Sequence, residues 1–320
     1  MDRADHAQRA DGAGAVPWPA VALFVGTAVA LAWLVALPLW LGDGLASPLA
    51  SALLPVMMFA PGIATLVVCL IARVPGRGRR MRFLGMWPLR PAGRTIGFLV
   101  AAVFVPPLIV ALTVSLSGAL GLVRLDLVGF SGFVGALEQA GVDLSVVPIQ
   151  AVVVGQLIAL PLGALINAIP AFGEEIGWRG WLLSALRPLG VWPSLLVTGA
   201  VWGLWHAPII LLGYNFGRGD VIGVLLMVAG CMAWGVLLGW SRLRTGSVWP
   251  AVVAHGALNA AAGLLALLVA VGERPDPALV GPLGAVSWLV LAVLVGVLAL
   301  TGQFRRDVLE PPREARGVTG

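Results

Sequence analysis

Residues 12–42 read GAGAVPWPAVALFVGTAVALAWLVALPLWLG, with no Asp, Glu, Lys or Arg among them. A helix of about 20 such residues spans the hydrocarbon core of a bilayer. Seven more runs are equally free of those four residue types: 44–72, 95–123, 144–173, 188–217, 221–241, 245–272 and 277–304. The strands of a membrane β-barrel would alternate over about ten residues rather than stay apolar throughout. The composition agrees: 59% of the 320 residues are hydrophobic, 11% are charged and the mean hydropathy is +0.98. An ordinary soluble domain carries about 25% charged residues. A water-soluble enzyme, a disordered chain and a secreted disulfide scaffold are therefore excluded. The expected fold class is all-α: a polytopic membrane protein of about eight transmembrane helices.

The net charge of +5 comes from arginine alone, since the chain has no lysine. The arginines sit in short clusters between apolar runs, and no domain-sized basic face suggests a nucleic-acid partner. Their distribution is asymmetric. The loop after the second run holds Arg73, Arg77, Arg79, Arg80, Arg82, Arg90 and Arg94. The loops after the fourth and sixth runs and the two tails bring that side to 17 of 20. The other side has only Arg124, Arg218 and Arg274, with Asp43, Asp126, Glu138, Asp143, Glu273 and Asp276. The positive-inside rule makes the arginine-rich side cytoplasmic, and an even number of spans places both termini there. Trp18, Trp40, Trp192, Trp240 and Trp249 stand near span ends, as interfacial anchors do. Cys69 and Cys231 lie within apolar runs and read as packing residues.

Five regions follow. Residues 1–15 form a polar tail, and 16–144 hold the first transmembrane helices with the arginine-rich loop. Residues 145–272 form a core that contains every unusual polar residue. A last transmembrane helix occupies 273–304, and a charged tail occupies 305–320. The fourth run leads through Pro148, Pro161 and Pro170 towards Arg187, so the end of its helix stays open.

Ionisable groups at membrane depth are costly and mark function. Here they concentrate in three stretches: Glu174, Glu175 and Arg179 in AFGEEIGWRGWLL, His206 in VWGLWHAPI, and His255 with Asn259 in VVAHGALNA. Glu175 and Arg179 are four apart and can pair on one helix face, and His255 and Asn259 share the same spacing. Trp202 precedes His206 by one turn. Glu174 lies 16 residues before the turn at Gly190 and His206 lies 16 after it, which sets them level in two antiparallel helices. At about 1.5 Å per residue that is up to ~24 Å from the turn, while His255 lies about 13 Å beyond Gly246. A polar cavity open to the cytoplasm would hydrate all three.

The order Glu-Glu-x-x-x-Arg, aromatic-x-x-x-His, His-x-x-x-Asn on successive membrane helices resembles the CAAX prenyl protease and bacteriocin-processing family of intramembrane glutamate proteases. The resemblance covers roughly residues 145–265, with Trp202 where many relatives have Phe. It implies an endopeptidase in which Glu174 and His206 activate a water and His255 and Asn259 hold the oxyanion. Glu175 and Arg179 would form the ion pair that orients the first carboxylate. It implies no cofactor, and a peptide or protein substrate reached from the cytoplasmic side or the membrane. Two alternatives stay open. Glu174, His206 and His255 also make a two-His, one-carboxylate zinc set. A non-catalytic binding, transport or bacteriocin-immunity protein would keep the same cluster without cutting anything. Trp178 and Trp181 flank the motif and either line the substrate path or pack.

Overall fold

The computed structural model describes residues 15–89, 91–144 and 148–309. The N-terminal tail lies almost wholly outside the described residues. So does most of the C-terminal tail, of which Arg306–Leu309 forms one helical turn. All eight apolar runs become helical. We label the elements α1 (Trp18–Leu41), α2 (Ala50–Ala72), α3 (Ala92–Ala119), the short α4 (Ser131–Gln139), α5 (Ile149–Leu189), α6 (Val191–Trp205), α7 (Val221–Thr245), α8 (Trp249–Leu268) and α9 (Pro277–Leu300). Among the described residues there is no strand, only an isolated bridge between Leu125 and Val269.

Seven of these helices are long and apolar enough to cross a membrane by themselves; the remaining run keeps the alternation through α6 and the loop after it, since α6 packs antiparallel on α7, Gly199 against Met232 and Gly203 against Val228. The exception is α6, which ends after fifteen residues. Its run is cut for two local reasons. The His206 ring binds the Trp202 carbonyl at 2.8 Å, so the His206 amide turns to Gly203 instead. Pro208 has no N–H to offer the Leu204 carbonyl. The chain then passes through a short helical turn, Ala207–Ile210, into a loop with Gly213 and Asn215 at positive φ.

The open question at the fourth run also resolves. The helix α5 continues for 41 residues to Leu189, with a π-helical segment at Ile176–Leu182 directly after the Glu174–Glu175 pair. Such wide turns occur mostly at functional sites.

Apolar side chains face outward along α3 (Val100, Phe104, Leu108, Leu112), α5 (Ile158, Leu162, Leu165, Ile169) and α9 (Leu289, Val293, Val297). In water this belt would be unstable; in lipid it is the ordinary surface. The chain is a multi-pass membrane protein by this construction. Its interior is aromatic: Phe24, Trp178, Trp181, Trp205 and Trp234 are fully buried. Phe24 stacks on Trp181 at 4.9 Å and meets Trp178 edge-on at 5.6 Å.

The loops define two ends. At one end the segment after α2 docks on the helix ends: Trp181 Nε1 donates to the Val74 carbonyl, Ser184 Oγ and Arg242 to Phe83, and Trp249 Nε1 to Met86. Arg94 donates to the Arg244 carbonyl there. The arginine-rich loops thus meet at one end of the bundle. At the other end, Arg124 pairs with Glu273 at 2.6 Å and Ser131 Oγ accepts from the Val271 amide. That hydrogen-bonded pairing holds the Glu273 carboxyl below the usual carboxylate range. Trp18, Trp40 and Trp192 are exposed. Trp240 and Trp249 are half-buried: Trp240 meets Phe304 at a tilt, 6.5 Å between ring centroids, and Trp249 stacks on Phe172.

Candidate functional site

Three close helix contacts build the site. On α6, Gly199 and Gly203 lie four apart on one face and pack against the backbone of α7. A Cβ at Gly199 would stand 2.7 Å from the Met232 Cα, and one at Gly203 would run into Val228. On α5, Gly173 and Gly177 receive α2, with a Cβ at Gly173 only 2.8 Å from the Phe59 Cα. On α8, Gly256 sits against Ala164 and Ala168 of α5. Small residues at four-residue spacing let membrane helices approach this closely. Glu174, Trp202 and His255 are each within one helical turn of such a contact.

All six candidate side chains come together. Glu174 is 2% exposed, and its Oε2 accepts from Trp202 Nε1 at 2.6 Å and from Trp178 Nε1 at 3.3 Å. Glu175 is fully buried, and its Oε1 accepts from Arg179 at 2.7 Å and meets His255 Nδ1 at 2.9 Å. The Arg179 guanidinium also lies 4.3 Å from the Trp202 ring centroid, a cation–π contact. His206 packs edge-on against Trp205 at 4.7 Å, and His255 edge-on against Trp202 at 5.3 Å.

The partners dictate which nitrogens remain. A carbonyl only accepts, so His206 Nδ1 carries the proton towards Trp202 and its Nε2 is the free lone pair. The carboxylate of Glu175 likewise takes the His255 Nδ1–H and leaves Nε2.

Glu174, Trp202, His206, His255 and Asn259 line one cavity of about 320 Å³. Glu175 and Arg179 do not line it; they sit behind Trp202 and His255. The walls add Leu54, Met57, Met58, Ile209, Leu258 and Leu283, with Asn167, Tyr214 and Asn215 as further polar groups. Sequence reasoning passed over those three. Asn167 stands two helical turns before Glu174, and Tyr214 is the chain's one tyrosine. Trp178 also went unassigned as a donor, although it lies one turn after Glu174. It and Trp181 are fully buried, and neither lines the cavity. That answers the flanking-tryptophan question in favour of packing.

The lining residues fix where along the bundle the cavity lies. Its lining comes from the arginine-poor half of the bundle: the start of α2, the loop after α6, the far part of α8 and the segment before α9's long helix. Residue counts from Gly190 and Gly246 gave depth but not the direction in which the side chains open. The start of α8 is itself recessed, since Trp249 stacks on Phe172 at 5.4 Å. Among the described residues, no three His, Cys, Asp or Glu side chains are grouped so as to hold a metal ion.

Residues 156–261 match the family model described as type II CAAX prenyl endopeptidase Rce1-like. The match spans all three motifs and covers about a third of the chain, so the likeness to that family lies in the segment that carries the candidate site. No curated protein matches the chain.

Proposed function

We propose that this CAAX-protease-like chain is an intramembrane endopeptidase in which Glu174 is the general base. The observation that carries the proposal is the convergence of Glu174, His206, His255 and Asn259 on one cavity, inside the segment that matches the family. With Oε2 held by two indole N–H groups, Oε1 is free to take a proton. A water between Glu174 Oε1 and His206 Nε2 would lose that proton to Glu174 as its oxygen bonds to the peptide carbon. The Asn259 amide donates to the developing oxyanion, and His255 beside it is a second donor when its Nε2 carries a proton. The C–N bond then breaks, and Glu174 returns the proton to the leaving nitrogen. Behind this set, Arg179 neutralises Glu175, which orients His255.

Mass spectrometry of peptide termini in membranes of equal protein abundance tests this. Termini present with the wild type and lost with both Glu174→Ala and His206→Ala are the expected result. Normal cleavage by either variant refutes the assignment, and a wild type that cuts nothing favours the non-catalytic binding reading. For the zinc alternative no donor geometry speaks, and both Glu174 indole partners would compete with a metal. Inhibition by a chelator that zinc reverses would restore it.

The same reading includes topology. The arginine-rich loops meet at one end, and we place that end, with both termini, in the cytoplasm.

A further inference from the structure

We infer that the cavity is served from the arginine-poor face, so that its substrate is a short, uncharged, apolar peptide segment presented on the extracytoplasmic side of the membrane. This rests on the endopeptidase reading and on the topology above. Towards the arginine-rich end the site is closed. Glu175 and Arg179 are 0% and 1% exposed, and beyond them the fully buried Trp181 is tied to the Val74 carbonyl of the arginine-rich loop at 2.8 Å. Towards the other end the lining is accessible: Asn215 and Ala262 are exposed and Leu283 is partly so. Asn215 belongs to the loop after α6, and Leu283 precedes the long helix of α9, both on the side where Arg124 pairs with Glu273.

The lining also selects. Apart from Glu174 and the two histidines it holds no titratable group but Tyr214, and the remaining wall is largely apolar. A charged side chain would enter without a partner and lose its hydration. At about 320 Å³ the cavity is at the small end of ligand pockets, which run from ~300 to ~1,000 Å³. It admits a few residues of extended chain, not a folded domain.

Single cysteines read the access route directly. Ala262→Cys and Leu283→Cys report on the cavity, and Gly78→Cys reports on the arginine-rich loop, where a side chain meets open space. The native chain is the blank, because Cys69 and Cys231 are buried. Intact cells are treated with a membrane-impermeant maleimide, then inverted vesicles, then detergent-solubilised protein. Labelling of a cavity cysteine in intact cells, with Gly78→Cys labelled only in inverted vesicles, is expected. A cavity cysteine reached only in inverted vesicles overturns the inference, and so does one reached only in detergent. Labelling needs no catalysis, so the Glu174→Ala background must give the same pattern. Failure to find a cleaved peptide therefore counts against the enzyme and not against the access route.

Discussion

Trp202 occupies the aromatic position of the second motif, and it does something a phenylalanine there would not. Its ring carries the Arg179 guanidinium on one face, and its N–H reaches the Glu174 carboxylate. Trp202→Phe keeps the ring and deletes the donor. A hydrogen bond to a charged group contributes about 1.5–3 kcal/mol, so cleavage is expected to fall roughly ten- to hundred-fold with folded protein retained. Equal kcat/KM in the two forms would show that the carboxylate is positioned without it. Behind Trp202, Glu175 and Arg179 form an ion pair with almost no solvent access. Breaking such a pair from one side costs about 3–5 kcal/mol, because the remaining charge is stranded. Arg179→Met should therefore sharply lower the yield of monodisperse protein in detergent. Adding Glu175→Gln should recover part of that loss, and a double variant no better than the single would contradict the coupling.

Helix α6 shows what the sequence could and could not convey about elements. Its apolar composition and the four-residue offsets of the motifs were legible, and with them the pairing of Glu175 with Arg179 and the shared depth of Glu174 and His206. Its length was not. The break depends on His206 capturing a backbone carbonyl and on Pro208 offering no N–H, and mean hydropathy registers neither. The π-helical turn after Glu175 was equally hidden, since Gly177 and Gly180 in IGWRGWL weaken an ordinary helix without specifying a wide turn. The glycines were visible as letters, but their role needs the opposing backbone. Gly203→Leu should drive α6 from α7, lowering the melting temperature and abolishing cleavage, whereas Gly26→Leu, on the open side of α1, should do neither. If both substitutions leave the melting temperature unchanged, close approach at Gly203 is not what seats Trp202 and His206.

At the scale of the molecule, two asymmetries run along the same axis. One is charge: arginine-bearing loops gather where Arg94, Arg242 and Arg244 bind neighbouring backbone, and the acidic loops gather at the other end. The other is the cavity, whose lining comes from the arginine-poor half of the bundle. Sequence alone yields the first, because loop charge is a property of position along the chain. It cannot yield the second, because the cavity joins parts of α2, α5, α6, α7 and α8 that are far apart in sequence. The two together predict a reporter pattern. A phosphatase that folds only outside the cytoplasm should be active when inserted in the loop around Arg274 and inactive when fused after Gly320. A fluorescent protein that matures only in the cytoplasm should show the reverse. The inverted pattern would turn the arginine-rich end outward against the charge rule, and would then place the Glu174 cavity on the cytoplasmic side. Moving arginines from the loop after α2 to the loop around Arg274 should weaken the expected orientation progressively, because loop arginines act as additive retention signals during insertion.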